Sequence, residues 1–352
     1  MNKQRSLSRG SGAGRSPSLD LLRILAAVGV VLTHTVQTEM ASSGLSGSFW
    51  NAMWVYPMIC NALYVMLSGA LIYRYTNESA STFFRKRFFS MILPMVVFYI
   101  GFVYADVLLN GAKHGRLSYY IASALVTGNT PESPHYWLLY ILISLYLTAP
   151  LMRLFLRNLD GRALDGIAFL LLLYLTVRFG AALAGNTLAV RMEIGDWLAI
   201  SIIGYWIAAG SSRKWTIVLI AAGACGAAYI MWVILRGADK AFLSEYCCNQ
   251  AVPSLFLAMG VFALFSLVRS LPGPLASFVS FLSRYSYGVI LVHWGVLSFI
   301  IRKTLKITAE TGNPLTMIIV SVLLNLVISF AISLVTFGLV FFPLRKLMGW
   351  RR

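Results

Sequence analysis

Arg23 and His34 stand eleven residues apart in one apolar run, and Asp20 precedes Arg23 by three. Eleven residues is close to three helical turns. The guanidinium and the imidazole therefore share a helix face, about 16 Å apart along the axis at 1.5 Å per residue. Ionisable side chains inside a span are costly and mark functional positions by default. An imidazole exchanges protons near neutral pH, and a guanidinium pairs with planar anions. A second reading stays open on this helix alone: Arg23 snorkels to the interface, and His34 is hydrogen-bonded inside a bundle.

Two more histidines sit in apolar surroundings. His135 opens a later run in Pro134-His135-Tyr136-Trp137, and His293 lies in a run near the C-terminal end. The alternatives are an interfacial His135 beside an aromatic-belt tryptophan and a packed, hydrogen-bonded His293. Alternating the spans brings His34, His135 and His293 to similar depth, in the outer half of the membrane. His114 falls in a connecting loop and reads as solvated. Three histidines suggest zinc, but they come from separate runs without an i, i+4 ligand pair, so no metal is expected. Ser68-Gly69 is a candidate site, or a point of close helix packing. Arg178 lies within a run, while Glu193, Asp196, Glu245 and Asn249 read as residues near the outer surface.

These side chains need elements that place them inside a membrane. Hydrophobic residues make up 59 % of the chain and charged residues 12 %. A soluble domain carries roughly 45–50 % and about 25 %. The apolar residues come in runs near 20 residues long, which suits spanning helices, and short alternating segments of a barrel are not seen. The runs fall at about 18–38, 50–75, 86–109, 135–156, 163–183, 194–210, 214–236, 249–269, 276–301 and 314–343. The expectation is an all-α, polytopic helical bundle of about ten transmembrane helices. Residues 116–127 read as an interfacial helix. Residues 1–16 read as a disordered basic cytoplasmic tail, and 17–352 as a single transmembrane domain.

The net charge is +17. Its carriers lie between the apolar runs, as topology signals and lipid-headgroup anchors, so nucleic acid is not expected as a partner. With a cytoplasmic N-terminus, Lys and Arg divide 19 inside to 8 outside. That bias predicts cytoplasmic N- and C-termini and an even number of spans. The four cysteines form no framework and read as small buried hydrophobes. No cleavage pattern follows the first run, which reads as a retained helix. No internal repeat is visible, which counts against an inverted-repeat transporter.

Five further patterns recur in order along the chain. They are Ser18-Leu19-Asp20-Leu21-Leu22-Arg23 with His34; Tyr64 to Gly69, ending in Ser68-Gly69; Phe84-Arg85-Lys86-Arg87 with Pro94; His135-Tyr136-Trp137 with Tyr146 and Pro150; and Ser283-Arg284-Tyr285-Ser286-Tyr287-Gly288, closing at His293. Together they resemble the membrane acyltransferase-3 family, occur in that family's order and cover most of the chain. The chain departs from the pattern at Tyr64-Val65, Leu138 and Ile290.

The resemblance implies a multi-pass protein of the bacterial inner membrane that moves an acetyl or other short acyl group from acyl-CoA to a hydroxyl of a cell-envelope glycan. Acetyl-CoA is then a donor substrate, with no permanently bound cofactor. The acceptor is a glycan or lipid-linked saccharide, membrane lipids surround the chain, and a separate partner protein is an option for completing transfer. His34 is the expected base, with His135 and His293 positioning the acceptor or stabilising the oxyanion. Arg23, oriented by Asp20 and helped by Arg85, Lys86 and Arg87, is expected to take the CoA phosphates. Trp137 and Ser68 are expected on the substrate side. The rival reading is a lipid-linked glycan flippase or transporter.

Overall fold

The computed structural model describes residues 16–74, 78–185, 195–210 and 212–347. The tail expected over 1–16 lies outside them except for Ser16, as does Glu193. The described residues form helices and no strands. In chain order these are α1 (Pro17–Ser42), α2 (Ser48–Ile72), α3 (Ala80–Asn110), α4 (Leu117–Thr127), α5 (Pro134–Arg157), α6 (Gly161–Leu183), α7 (Asp196–Ala208), α8 (Arg213–Leu235), α9 (Lys240–Tyr246), α10 (Val252–Ser266), α11 (Gly273–Thr304) and α12 (Pro314–Leu344). Eight of them are long and apolar enough to cross a membrane; α4, α7 and α10 are shorter apolar helices. The chain is a polytopic helical membrane bundle. Large apolar side chains such as Leu147, Leu235 and Leu339 are 66 %, 68 % and 74 % exposed, a surface suited to lipid rather than water.

Two expected runs come out shorter than 194–210 and 249–269. Helix α7 has 13 residues and α10 has 15. At 1.5 Å per residue both fall short of a hydrocarbon core about 30 Å thick. The start of α10 is delayed by Asn249, whose φ of 54° lies in the left-handed region, a conformation asparagine tolerates better than most residues. Asn61 Nδ2 donates to Asn249 Oδ1 at 2.7 Å, and Pro253 then sits in the first turn of α10, where its missing N–H costs nothing.

The chain divides into two compact units. One comprises Met1–Thr33, Ser46–Thr76 and Leu147–Ser283; the other comprises His34–Leu45, Asn77–Tyr146 and Arg284–Arg352. In the first unit, α2 packs on α7 through glycine. A Cβ on Gly69 would run into the Ser201 carbonyl, and one on Gly204 into the Met66 backbone. Helices α8 and α10 meet where Gly223 and Gly260 face each other. Small residues let helix backbones approach closely where lipid offers no hydrophobic drive.

In the second unit, Gly288 of α11 abuts Ser333 of α12, and Gly295 abuts the ring of Phe102 on α3. Ser333 Oγ donates to the Tyr285 carbonyl at 2.8 Å. Wide π turns interrupt α3 at Phe88–Ile92, α11 at Val296–Thr304 and α12 at Phe337–Phe341. The first lies just before Pro94, which cannot donate into a regular ladder. Glu39 closes the end of α1: its carboxylate is paired with Arg302 and accepts the Ala309 N–H at 2.7 Å.

Candidate functional site

In the second unit, His34, His135 and His293 converge. Ring centroids are 5.3 Å apart for His34 and His293, 6.2 Å for His34 and His135, and 4.5 Å for His135 and His293. Trp294 edges onto His34 at 5.5 Å. Each ring arrives by a separate device. His34 sits late in α1, and the Thr38 hydroxyl one turn on donates to its carbonyl at 2.7 Å. His135 is set by a tight turn, in which Ser133 N donates to Thr130 O and Tyr136 N to Ser133 O, both at 2.9 Å. Pro134 fixes φ at the start of that turn. His293 is held from two sides: its Nδ1 lies 2.8 Å from the Ile290 carbonyl oxygen, and Asn325 Nδ2 donates to its own carbonyl at 3.1 Å. Ser329 Oγ fixes the Asn325 amide at 2.8 Å.

His293 and His135 are buried and His34 is half-buried. Among the described residues, His34 Nδ1, both ring nitrogens of His135 and His293 Nε2 are buried without a hydrogen-bond partner. Buried polar atoms are nearly always satisfied, and exceptions concentrate where a bound group or chemistry completes them. Neutral imidazole nitrogens left open can take a proton from a hydroxyl or donate one to a developing oxyanion.

In the first unit, Arg23 Nη1 donates to Asp20 Oδ1 at 2.7 Å and lies 3.4 Å from Ser283 Oγ, which itself donates to Asp20 Oδ1 at 2.7 Å. The Arg23 side chain is 27 % exposed, while Asp20 is buried. The i, i+3 contact expected from spacing is present. Ser283, which joins it from 260 residues away, belongs to the Ser283–His293 stretch but was not expected beside Arg23. This arrangement engages one guanidinium nitrogen of a group that carries five N–H donors.

The other expected residues are placed as follows. Arg87 lies over the rings of Phe83 and Tyr146, 5.1 and 5.3 Å from their centroids. Lys86 is ion-paired with Glu78, and Arg85 is exposed. Ser68 is half-buried beside Gly69, whose missing side chain admits α7. Trp137, at the first full turn of α5, is exposed. Two residues depart from their expected settings. Asp196, read as a surface residue, is buried and paired with Arg178. His114, read as solvated, has a side chain only 15 % exposed and stacks on Tyr120 at 4.1 Å.

The sequence pattern of a family described as an acyltransferase domain matches residues 16–334, nearly the whole chain. No curated protein and no solved structure matches the chain.

Proposed function

The chain belongs to the membrane acyltransferase-3 family, and on that premise we propose that it transfers an acetyl or other short acyl group from acyl-CoA to a hydroxyl of a cell-envelope glycan. The observation that carries this reading is the cluster of His34, His135 and His293 with open ring nitrogens. It bears on acyl transfer because that reaction needs a base for the acceptor and donors for the oxyanion.

His34 takes the proton of the acceptor hydroxyl. The alkoxide oxygen attacks the thioester carbonyl, the charge passing to the carbonyl oxygen is met by an N–H of His135, and His293 positions the acceptor through its open Nε2. The C–S bond breaks, the new ester leaves, and the CoA thiolate recovers a proton from the imidazolium. Arg23 takes a CoA phosphate through its fork of donors. The pantetheine arm spans the roughly 16 Å rise of α1 from Arg23 to His34. Arg85, Lys86 and Arg87 add positive charge for the donor, while Trp137 and Ser68 lie on the substrate side. The bias of Lys and Arg between the apolar runs supports a reading with both termini in the cytoplasm, where acyl-CoA is found, and we assign the chain to a bacterial inner membrane.

The test is transfer of labelled acetyl from acetyl-CoA to envelope glycan in membranes containing the wild type or His34→Ala. Label incorporation should require the wild-type chain and fall roughly 100- to 10,000-fold in the variant. Near-wild-type transfer by His34→Ala would remove His34 as the base.

A further inference from the structure

A second cluster of chemistry-bearing side chains lies at the end of α3, and the acyl-transfer reading does not use it. Asp106 stands in the last turns of α3. Gly111, with φ of 66°, caps the helix and turns the chain back, its N–H donating to the Val107 carbonyl at 3.1 Å. His114 follows within three residues. Glu132 comes from the far end of the same connection, three residues before His135. One ligand atom from each of Asp106, His114 and Glu132 falls within 4.8 Å of the other two.

We propose that Asp106, His114 and Glu132 bind a zinc ion that pins the segment 111–133 to the end of α3. His114 Nε2 lies 3.4 Å from Asp106 Oδ2 and 3.7 Å from Glu132 Oε1. It is buried and makes no hydrogen bond to either. In a tetrahedron with metal–ligand bonds of about 2.0–2.2 Å, neighbouring ligand atoms are about 3.3–3.6 Å apart. These two separations sit close to that edge. An octahedral ion with bonds of about 2.1 Å needs shorter edges, about 3.0 Å, so magnesium fits less well. One imidazole nitrogen with two carboxylate oxygens is a donor set suited to zinc.

The surroundings hold the ligands as a metal site requires. Tyr99 and Tyr120 hydroxyls donate to Glu132 at 2.7 and 2.6 Å, and Asn110 Nδ2 donates to Asp106 Oδ1 at 2.6 Å. Such outer contacts fix carboxylate orientation and tune affinity. The His114 ring is fixed by its stack on Tyr120. Lys303 reaches this end of α3 but donates to the Leu109 carbonyl and Asn110 Oδ1, leaving both carboxylates to another cation.

The test uses the full chain purified in detergent with a tag that contains no histidine, stripped with chelator and titrated with zinc chloride by calorimetry. The wild type should take up one zinc per chain with a rise in thermal midpoint. His114→Ala and the near-isosteric Asp106→Asn should lose saturable uptake, and Tyr120→Phe should bind about 10- to 100-fold more weakly. No uptake by folded wild type, or unchanged uptake in the ligand variants, overturns the site. Zinc K-edge absorption on the wild type alone decides the ligands whether or not the variants fold. Nitrogen and oxygen scatterers near about 2.0 Å are expected, and sulfur near about 2.3 Å would place the metal on cysteine and overturn the proposal.

Discussion

His293 Nδ1 sits 2.8 Å from the Ile290 carbonyl oxygen, one turn earlier on the same helix. A carbonyl oxygen only accepts, so Nδ1 carries the proton, and the neutral ring keeps its lone pair on Nε2. That nitrogen is buried and makes no hydrogen bond to the described residues. Nitrogen-15 spectra of histidine-labelled protein should show His293 as the Nδ1–H tautomer. Asn325 donates to the His293 carbonyl at 3.1 Å. Asn325→Ala should lower kcat more than the donor KM, because it loosens a ring without touching the phosphate end. A variant with wild-type kcat would show that this hold on α11 is dispensable.

Arg23 is expected to act through donor binding. Charge-assisted hydrogen bonds contribute about 1.5–3 kcal/mol, so Arg23→Ala should weaken acetyl-CoA binding roughly 10- to 150-fold. Arg23→Lys should recover only part of this, since an ammonium lacks the planar fork. Ser283→Ala removes the hydroxyl that donates to Asp20 at 2.7 Å and should cost less, about 2- to 10-fold. Calorimetry in detergent reads all three. Equal binding by wild type and Arg23→Ala would detach the phosphate end from α1.

Close packing at Gly69 should tolerate no added methyl. Its Cβ would meet the backbone carbonyl of Ser201 rather than a movable side chain. Gly69→Ala is expected to destabilise by about 1–3 kcal/mol and to lower the thermal midpoint in detergent. The neighbouring Ser68→Ala should leave the midpoint near wild type. If both variants melt alike, the two residues do not divide between packing and function as their positions suggest.

The clamp on the last turns of α1 should be unforgiving. Glu39 is 1 % exposed and is paired with Arg302 while accepting the Ala309 N–H at 2.7 Å. Removing one partner of a buried pair costs about 3–5 kcal/mol, because the other charge is stranded. Arg302→Ala should therefore melt well below wild type. Replacing both, Glu39→Leu with Arg302→Met, should recover part of the loss. No recovery in the double variant would mean that the Ala309 contact carries the clamp.

Much of the helical layout was legible from local pattern. Runs near 20 residues announce themselves as spans, and eleven-residue spacing sets Arg23 and His34 on one face whatever surrounds them. Alternation of spans was enough to anticipate that three histidines share a depth. Contacts across long sequence separation were not legible. Nothing local joins Ser283 to Asp20, or Arg178 to Asp196. A loop position does not imply solvation: the chain reversal at Gly111 and the stack on Tyr120 half-bury His114. The short α7 and α10 were overestimated because apolar composition continues past the residues that end each helix.

Helix α1 runs unbroken from Pro17 to Ser42, with no proline or wide turn between Arg23 and His34. On the proposed reading it serves as a ruler for the donor, with both graduation marks on one continuous helix. One inserted residue would swing His34 about 100° around the axis, off the face it shares with Arg23. Four inserted residues would nearly restore the face but lengthen the scale by about 6 Å. Reach and azimuth can thus be mis-set one at a time, which turns the length of the thiol-bearing arm into a quantity the protein itself can be engineered to measure.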